Sequence, residues 1–437
     1  MNPRDLDAGV IDRWHRASGA DEIEIYLKRG RSRRLIEEAG ARCHLEADEE
    51  GWAVRANLGR GSFFVCGSGD PPPAGGWPEP DGHPVRLPRP VEDDDRRVVR
   101  RSEAALASEG EIRTLAETLS REVERRLTGV RLTAIRIEDG QSESTIGNSL
   151  GVLASTRVRA ASLSLTGETV GRRPVRARLE WVERELADLS PRRLVARLGD
   201  VLSVRSEGRA VARDRCEVVL APLVMIHLLA GLLPLFDADS GEELVAALGG
   251  PETLGSSEVD IVDDGRLDRG VLASEVDGEG VPTREVELIE GGRYRQPLLP
   301  WWRTRPGCRS GGASRRDSWR QEPRVGPTHL YLRPDGSVRA AQLVASLSRG
   351  YYLLDPVLPV RMDLAADRFA LPVSGFEILG GSARMPVTGV ALTGKVSSLL
   401  RGVRARGRDL AFAPQQAGLI GSPSVRLAGL ELLRLDP

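Results

Sequence analysis

Glu217-Val-Val-Leu-Ala-Pro-Leu-Val-Met-Ile-His-Leu-Leu-Ala-Gly-Leu-Leu-Pro-Leu-Phe236 is the longest apolar passage in the chain, interrupted only by His227, Gly231 and the prolines Pro222 and Pro234. Glu217 to Leu220 has the composition of a buried strand, and Pro222 suits the first turn of a helix, where its missing N–H costs nothing. The passage therefore predicts a strand feeding a helix that is buried on all sides, over 222–233. Downstream of Gly255 the chain changes character. Short alternating segments are separated by Asp264-Gly265, Asp277-Gly278, Gly291-Gly292 and Asp335-Gly336. Turns at that spacing predict a mainly antiparallel β domain.

Upstream, Glu22-Ile-Glu-Ile-Tyr-Leu27 alternates with a period of two, and short strand patterns follow at 33–38, 42–47, 50–56 and 61–66. A stretch rich in Gly and Pro from Gly67 to Pro90 reads as a loop or linker. Ala105, Leu106, Ile112, Leu115, Ala116, Leu119, Val123 and Leu127 then recur at helical spacing, with a break expected near Gly110. Strands at 132–138, 144–146 and 155–165 and a helix starting at Pro191 complete the pattern. The fold expected is α+β. An N-terminal α+β domain over 1–210 carries a sheet with covering helices, and a β-rich C-terminal domain over 211–437 contains one buried helix.

At 437 residues, with 40% hydrophobic and 29% charged residues, the chain is long enough for two packed cores. A net charge of -1 gives no positive field for nucleic acid or an anionic membrane, so neither is expected as a partner. Almost all of the positive charge is arginine, Lys28 and Lys395 being the lysines, which fits a GC-rich codon bias better than dedicated anion recognition. Cys43, Cys66, Cys216 and Cys308 form no CxxC pair, which predicts reduced thiols. No stretch reads as a signal peptide or a membrane span, so the expected location is cytoplasmic.

Several blocks, in order along the chain, resemble the TldD/PmbA family of peptidase subunits. They are Glu49-Glu-Gly-Trp-Ala-Val-Arg55, Gly147-Asn-Ser-Leu-Gly-Val152, Val262-Asp-Asp-Gly265, Asp277-Gly-Glu-Gly-Val-Pro-Thr283 and Leu288-Ile-Glu-Gly-Gly292. Pro386-Val-Thr-Gly-Val-Ala-Leu-Thr-Gly394, Gly407-Arg-Asp-Leu410 and Gly421-Ser-Pro-Ser-Val425 complete the series. In catalytic members of that family a buried His-Glu-x-x-x-His helix supplies two zinc ligands and a general base, and a cysteine later in the chain supplies another ligand. The resemblance places His227 on the first ligand, Leu228 on the glutamate and Leu232 on the second histidine. The cysteine position falls within 411–416, where the sequence has no cysteine. A leucine neither coordinates a metal nor accepts a proton, so no metal and no catalytic residue are expected in this chain.

The resemblance thus implies a non-catalytic, TldE-like subunit that completes the chamber of a zinc peptidase acting on unstructured peptides. Its implied partner is a TldD-like subunit that carries the zinc and an intact His-Glu-x-x-x-His. The alternative is a free-standing peptide-binding homodimer without hydrolytic activity. Gly311, Gly312, Arg315, Arg316, Asp317 and Trp319 match a glycine-rich segment near the family's substrate path and are the peptide-binding candidates, their arginines suited to carboxylates. The plainer reading of that segment is a loop whose arginines pair with nearby acids. Cys308 with His329 as nucleophile and base, Asp237, Asp239, Glu242 and Glu243 as a cation site, and Gly59-Arg60-Gly61 as a nucleotide loop each lack the accompanying residues.

Overall fold

The structure, a computed structural model of the chain, describes residues 6–69, 78–95, 97–304, 311–415 and 418–435. The N-terminal half contains α1 (Ala8–Ser18), β1 (Glu22–Glu38), β2 (Ala41–Leu58), β3 (Gly61–Gly67), α2 (Glu109–Arg126), β4 (Val130–Asn148), β5 (Leu153–Thr169), β6 (Arg176–Glu183) and α3 (Pro191–Glu207). The strands form one antiparallel sheet in the order β3-β2-β1-β4-β5-β6. Leu35, Ile135, Ile137, Leu163, Leu165 and Leu179 face α2 and α3, whose Ile112, Leu119, Val195, Leu198 and Leu202 close that core. Val10 and Ile11 of α1 cover Ile23, Ile25, Leu27 and Val54 at the other end.

Two sequence expectations need correction here. The short strands at 22–27 and 33–38 are one 17-residue strand, those at 42–47 and 50–56 are one of 18, and those at 132–138 and 144–146 are one of 19 residues. Beyond Leu27 the alternation is lost because Arg29, Arg31 and Arg33 replace apolar residues. The strand continues because β2 and β4 pair with it along both edges, and Arg31 and Arg33 find Asp48 and Glu46 at 2.7 and 3.1 Å across the hairpin. The second correction concerns α2, which does not bend at Gly110 but starts just before it. Ser108 and Glu111 form a reciprocal capping box that fixes the first turn at Glu109. Ala105 and Leu106 lie outside the helix, in an extended segment held by Arg159 on the Ala105 carbonyl at 2.7 Å and by Asp139 on the Ala107 N–H at 2.6 Å.

The C-terminal half opens with β7 (Asp214–Leu220), α4 (Pro222–Gly231) and α5 (Gly241–Ala247), followed by β8 (Ile261–Asp264), β9 (Glu285–Glu290), β10 (Arg293–Tyr294), β11 (Ser314–Arg315), β12 (Arg324–Val325) and β13 (His329–Leu332). It continues through α6 (Ala340–Ala345), β14 (Arg349–Pro356), β15 (Arg361–Asp363), β16 (Arg368–Leu379), β17 (Ser382–Gly394) and α7 (Val396–Leu399) to β18 (Val403–Arg406), β19 (Ala411–Gln415), β20 (Gly418–Ser422) and β21 (Val425–Arg434). Strands β14-β7-β21-β17-β16 form a circuit that closes on itself through β14–β16 pairing. A second sheet runs β10-β9-β8-β13-β20-β19. Pairing is antiparallel except for β7 with β14 and β13 with β20. The chain is thus α+β, with a β-rich C-terminal half whose core encloses α4.

Part of the Gly/Pro-rich loop, residues 70–77, lies outside the described residues; the rest belongs to a strap threaded between the two halves. Asn57 exchanges hydrogen bonds of 2.7 and 2.8 Å with the Val85 backbone, Asn148 donates to the Pro88 carbonyl at 2.7 Å, and the Trp301 indole donates to the Leu87 carbonyl at 2.9 Å. Further on, the buried Arg266 guanidinium reaches Asp93 at 2.5 Å and the Arg97 carbonyl at 3.1 Å. Apart from Asp81, which bridges Ser62 of β3, the described part of the strap is held mainly by side chains from both halves that satisfy its backbone. No helix among the described residues is long and apolar enough to cross a membrane.

Candidate functional site

Helix α4 follows β7 directly and packs against β14, β19 and β20. Val224, Met225, Ile226, Leu228 and Leu229 are buried in it, and Leu232 follows at the C-cap. Leu228 and Leu232, at 0% and 1% exposure, lie among the apolar side chains of both C-terminal sheets. His227 is half-buried, and burial holds its pKa below the ordinary imidazole value although Asp355 pulls the other way. The fold brings β19, which holds 411–415 of the 411–416 segment expected to carry a late ligand, alongside α4, and β19 contributes Ala413 to the shared core; Gln416 lies outside the described residues. Among the described residues no group of three or more His, Cys, Asp or Glu is arranged to hold a metal. One imidazole beside two leucines does not fit zinc, which takes three or four protein ligands.

The glycine-rich segment is built into the seam between the two halves. A side chain at Gly311 would press into Val286, and Gly312 adopts φ +74° against Thr283, so both glycines permit close approach to the chain's own backbone and core. Ser314 and Arg315 form β11, paired with β12. The Arg315 guanidinium is enclosed and donates to the Gly326 and Gly312 carbonyls at 3.3 and 3.4 Å. Burial lowers its pKa, while Asp263 and Asp277 act to raise it. Burial in turn pushes the Asp263 carboxyl up to about 6 and raises that of Asp277, whose oxygens accept from the Glu279, Val281 and Ser314 N–H groups at 2.9 to 3.0 Å.

Arg316 crosses the seam. Its guanidinium donates to Glu24 on β1 and lies 4.7 Å from the centre of the Tyr26 ring. Glu24 also accepts from Arg55 on β2 at 2.8 Å, and Arg55 reaches Glu279 of the C-terminal half at 2.6 Å. The result is a row of alternating charge, Arg316–Glu24–Arg55–Glu279, with side-chain exposures of 2%, 0%, 4% and 0%. For Glu24, burial pushes the carboxyl up but Arg316 and Arg55 outweigh it and hold the pKa below normal. For Glu279, burial wins against Arg55, with Glu24 and Asp277 adding to it, and the pKa rises to about 7. Oε2 of Glu279 has no hydrogen-bond partner among the described residues, as that direction requires.

The rest of the segment is divided between surface and seam. Asp317 stays at the surface in an ion pair with Arg324. Trp319 is buried against Tyr26, Ala53 and Ile146 on the sheet face opposite the helices, directly over Gly51, where a Cβ would lie 2.1 Å from the indole. Arg315 and Arg316 are thus paired within the chain, and both also line a cavity of about 140 Å³ at the seam together with Tyr26, Lys28, Asp277 and Asp317. Glu24 and Arg55 were missed as partners, although each is a charge set in the apolar runs Ile23-Glu24-Ile25 and Val54-Arg55-Ala56. A charge in a strand whose neighbours on both faces are apolar signals a buried counter-charge.

The remaining candidates resolve locally. His329 is buried, its Nδ1–H donating to the Asp264 carbonyl at 3.1 Å and its Nε2 accepting from the Leu272 N–H at 3.2 Å, and burial lowers its pKa to about 4. Both nitrogens are occupied in the neutral form, and Cys308 lies outside the described residues. Asp237 accepts from the Asp239 and Ser240 backbone at 2.9 and 3.0 Å, and Asp239 pairs with Arg303 at 2.7 Å. Gly59-Arg60 is the two-residue turn joining β2 to β3.

Comparison with known proteins fits this geometry. TldE from Thermococcus kodakarensis superposes with a TM-score of 0.83 over 97% of this chain and 99% of its own, at 17% identity. A proposed modulator of DNA gyrase from Thermotoga maritima gives 0.79 over 96% and 98%, at 18% identity. An uncharacterised Methanocaldococcus jannaschii protein is 30% identical over 138 residues, which are 31% of this chain. The chain matches about a third of that relative's length, 33%. The family model for the PmbA/TldA metallopeptidase C-terminal domain matches residues 213–433, just over half of the chain, beginning between the end of α3 and the start of β7. The chain therefore belongs to the TldD/PmbA family.

Proposed function

We propose that this chain is the non-catalytic, TldE-type subunit of a zinc peptidase assembly that cuts unstructured peptides, paired in the cytoplasm with a TldD-like subunit carrying His-Glu-x-x-x-His. One observation carries the reading. At the place in α4 where the resemblance expects a general base and a second ligand, Leu228 and Leu232 are fully enclosed in hydrocarbon. A water molecule there would find neither a Lewis acid nor a proton acceptor. Zinc and its chemistry belong in this proposal to the partner, and this chain supplies a chamber wall of fixed shape. Its glycine-rich loop acts as the clasp that holds the two halves in register, since Arg315 and Arg316 spend their hydrogen bonds inside the chain.

The test is to purify the chain, measure its zinc content, and mix it with a His-Glu-x-x-x-His relative from the same host. The expected outcome is no stoichiometric zinc in this chain, a stable complex at micromolar concentration, and chelator-sensitive peptide cleavage that requires both chains. One zinc per chain that disappears with His227→Ala overturns the reading. So does a catalytic relative that is fully active alone.

A further inference from the structure

On the outer face of the N-terminal sheet, Lys28 of β1 lies opposite Ser144 of β4, and Ser144 lies opposite Thr156 of β5. Roofed by residues 276–278 and 314–317, they enclose the seam cavity of about 140 Å³. Two polar atoms of this roof, Oγ of Ser314 and Nε of Arg316, are buried without a hydrogen-bond partner among the described residues. Ser314 is fully buried, and the Arg316 side chain is 2% exposed. Lys28 donates to the Asp317 carbonyl at 2.5 Å, which uses one of the three donors of its ammonium. The acids that act on it, Glu49 and Asp317, are each held by an arginine, Arg320 at 2.6 Å and Arg324. The Ser144 and Thr156 hydroxyls bond each other at 2.8 Å, so one of their two hydrogens remains to be donated. Asp277 also lines the cavity, but its oxygens accept from three backbone N–H groups. The cavity therefore offers more donors than acceptors.

Beyond Lys28 the same face runs on as a trough. A second hollow of about 320 Å³ shares Lys28, Ser142 and Val158 with the cavity and continues over Gly30, Ser32, Gly140 and Ala160. From Lys28 to Ser32 it follows β1 for about 13 Å, room for roughly four residues of extended chain. We propose that the cavity is a carboxylate subsite, taking the C-terminal carboxylate of an extended peptide laid along the trough. Lys28 supplies the counter-charge, and Ser314, Arg316 and the Ser144–Thr156 pair donate the hydrogen bonds. A carboxylate brings one negative charge to the one cation here whose neighbouring acids are committed elsewhere, and its two oxygens accept about four hydrogen bonds. A phosphate dianion would set its second charge against Asp277 and Asp317, and a neutral amide would leave Lys28 unpaired. Burial lowers the pKa of Lys28, and a bound carboxylate offsets that cost. Glu24 and the Tyr26 ring hold the Arg316 guanidinium in place, so its Nε–H is oriented before a ligand arrives.

The subsite deepens the chamber-wall reading of this chain and rests on it only for the source of the peptide. Binding is measured on the full chain without a catalytic relative, so the two fail separately. The probes are N-acetyl-tetraalanine, its C-terminal amide and N-acetylalanine, followed by calorimetry and by NMR of isotope-labelled lysine. Lys28 and Lys395 are the lysines of the chain, so each signal is assignable by substitution. The peptide acid is expected to bind about tenfold or more tightly than the amide, and to shift the Lys28 signal but not that of Lys395. Lys28→Met is expected to weaken the acid about tenfold and Ser314→Ala about threefold, each shown to be folded by circular dichroism. Ser314→Ala removes only a hydroxyl without a partner, so it carries the test should Lys28→Met unfold. N-acetylalanine binding as tightly as the tetrapeptide overturns the placement of a chain in the trough. Equal binding of acid and amide, no binding of either at millimolar concentration, or an affinity indifferent to both substitutions overturns the subsite.

Discussion

Leu228 and Leu232 at α4 and the charged row at the seam between the halves are both enclosed, and they solve the problem of burial in opposite ways. At α4 the positions of the general base and the second ligand of a catalytic relative are the leucines Leu228 and Leu232, set among hydrocarbon, and His227 alone keeps a polar side chain. At the seam Glu24, Arg55, Glu279 and Arg316 lie at 4% exposure or less, each acceptable there because the next one pairs with it, and burial still raises the pKa of Glu279 to about 7. Desolvating such a row costs about as much as its internal attraction returns, so its worth is geometric more than energetic. It permits one relative placement of the halves, in which the Gly280 loop lies within contact of Val152 and Ile146 and Trp319 lies on Gly51. An apolar core tolerates repacking. A row of buried charges does not tolerate a missing member.

The contrast is easiest to break at α4. Leu228→Glu with Leu232→His removes two enclosed leucines and buries a carboxyl without a metal. We expect a loss of roughly 5 kcal/mol or more, with the protein largely unfolded in a denaturant titration. A folded double mutant that takes up stoichiometric zinc would show that α4 still retains a metal site. Arg55→Ala comes next, because it strands Glu24 beside a single remaining arginine and leaves Glu279 with none. The expected cost is about 3–5 kcal/mol, and limited proteolysis should cut first in the strap between the halves. A loss below about 1 kcal/mol would mean that water enters the seam, and would end the distinction between the two regions.

The smallest effect sharpens the comparison by using a buried polar group of a third kind. His329 is neutral and satisfied at both nitrogens, with a folded pKa of about 4, below the ordinary imidazole value. Its depressed pKa contributes stability that is present above the unfolded imidazole pKa of about 6.5 and is lost as pH falls toward 4. Its ring resonances should therefore not move between pH 5 and 8, which NMR of the labelled imidazole measures. A titration near 6.5 would place the ring in contact with solvent.

Much of this was legible in residue order. The apolar run after Glu217 specifies a strand and a largely buried helix, because no stripe of polar residues exists along 222–233. Pro191 sets the start of α3, and the Asp-Gly and Gly-Gly steps divide the C-terminal half into short strands. The ordered blocks from Asp277-Gly278 to Gly421-Ser422 are enough to indicate the family. The loss of alternation after Leu27 hid the length of β1, because local pattern reports burial and not hydrogen bonding. Two full-length neighbouring strands, supplied from elsewhere in the sequence, carry β1 on to Glu38.

What residue type alone settles is the chemistry of α4: leucines at 228 and 232 have no lone pair to offer under any fold. What it leaves open is the fate of Arg315 and Arg316, since a guanidinium has the same five donors whether it faces a peptide or its own chain. Their partners lie 292 residues away at Glu24 and about 40 to 50 residues away at Asp263 and Asp277. Folding of the C-terminal half brings Asp263 and Asp277 beside Arg315, and only its closure onto the outer face of the N-terminal sheet brings Glu24 to Arg316. That closure depends on shape and on the sum of many long-range contacts, none of which is a property of the segment itself.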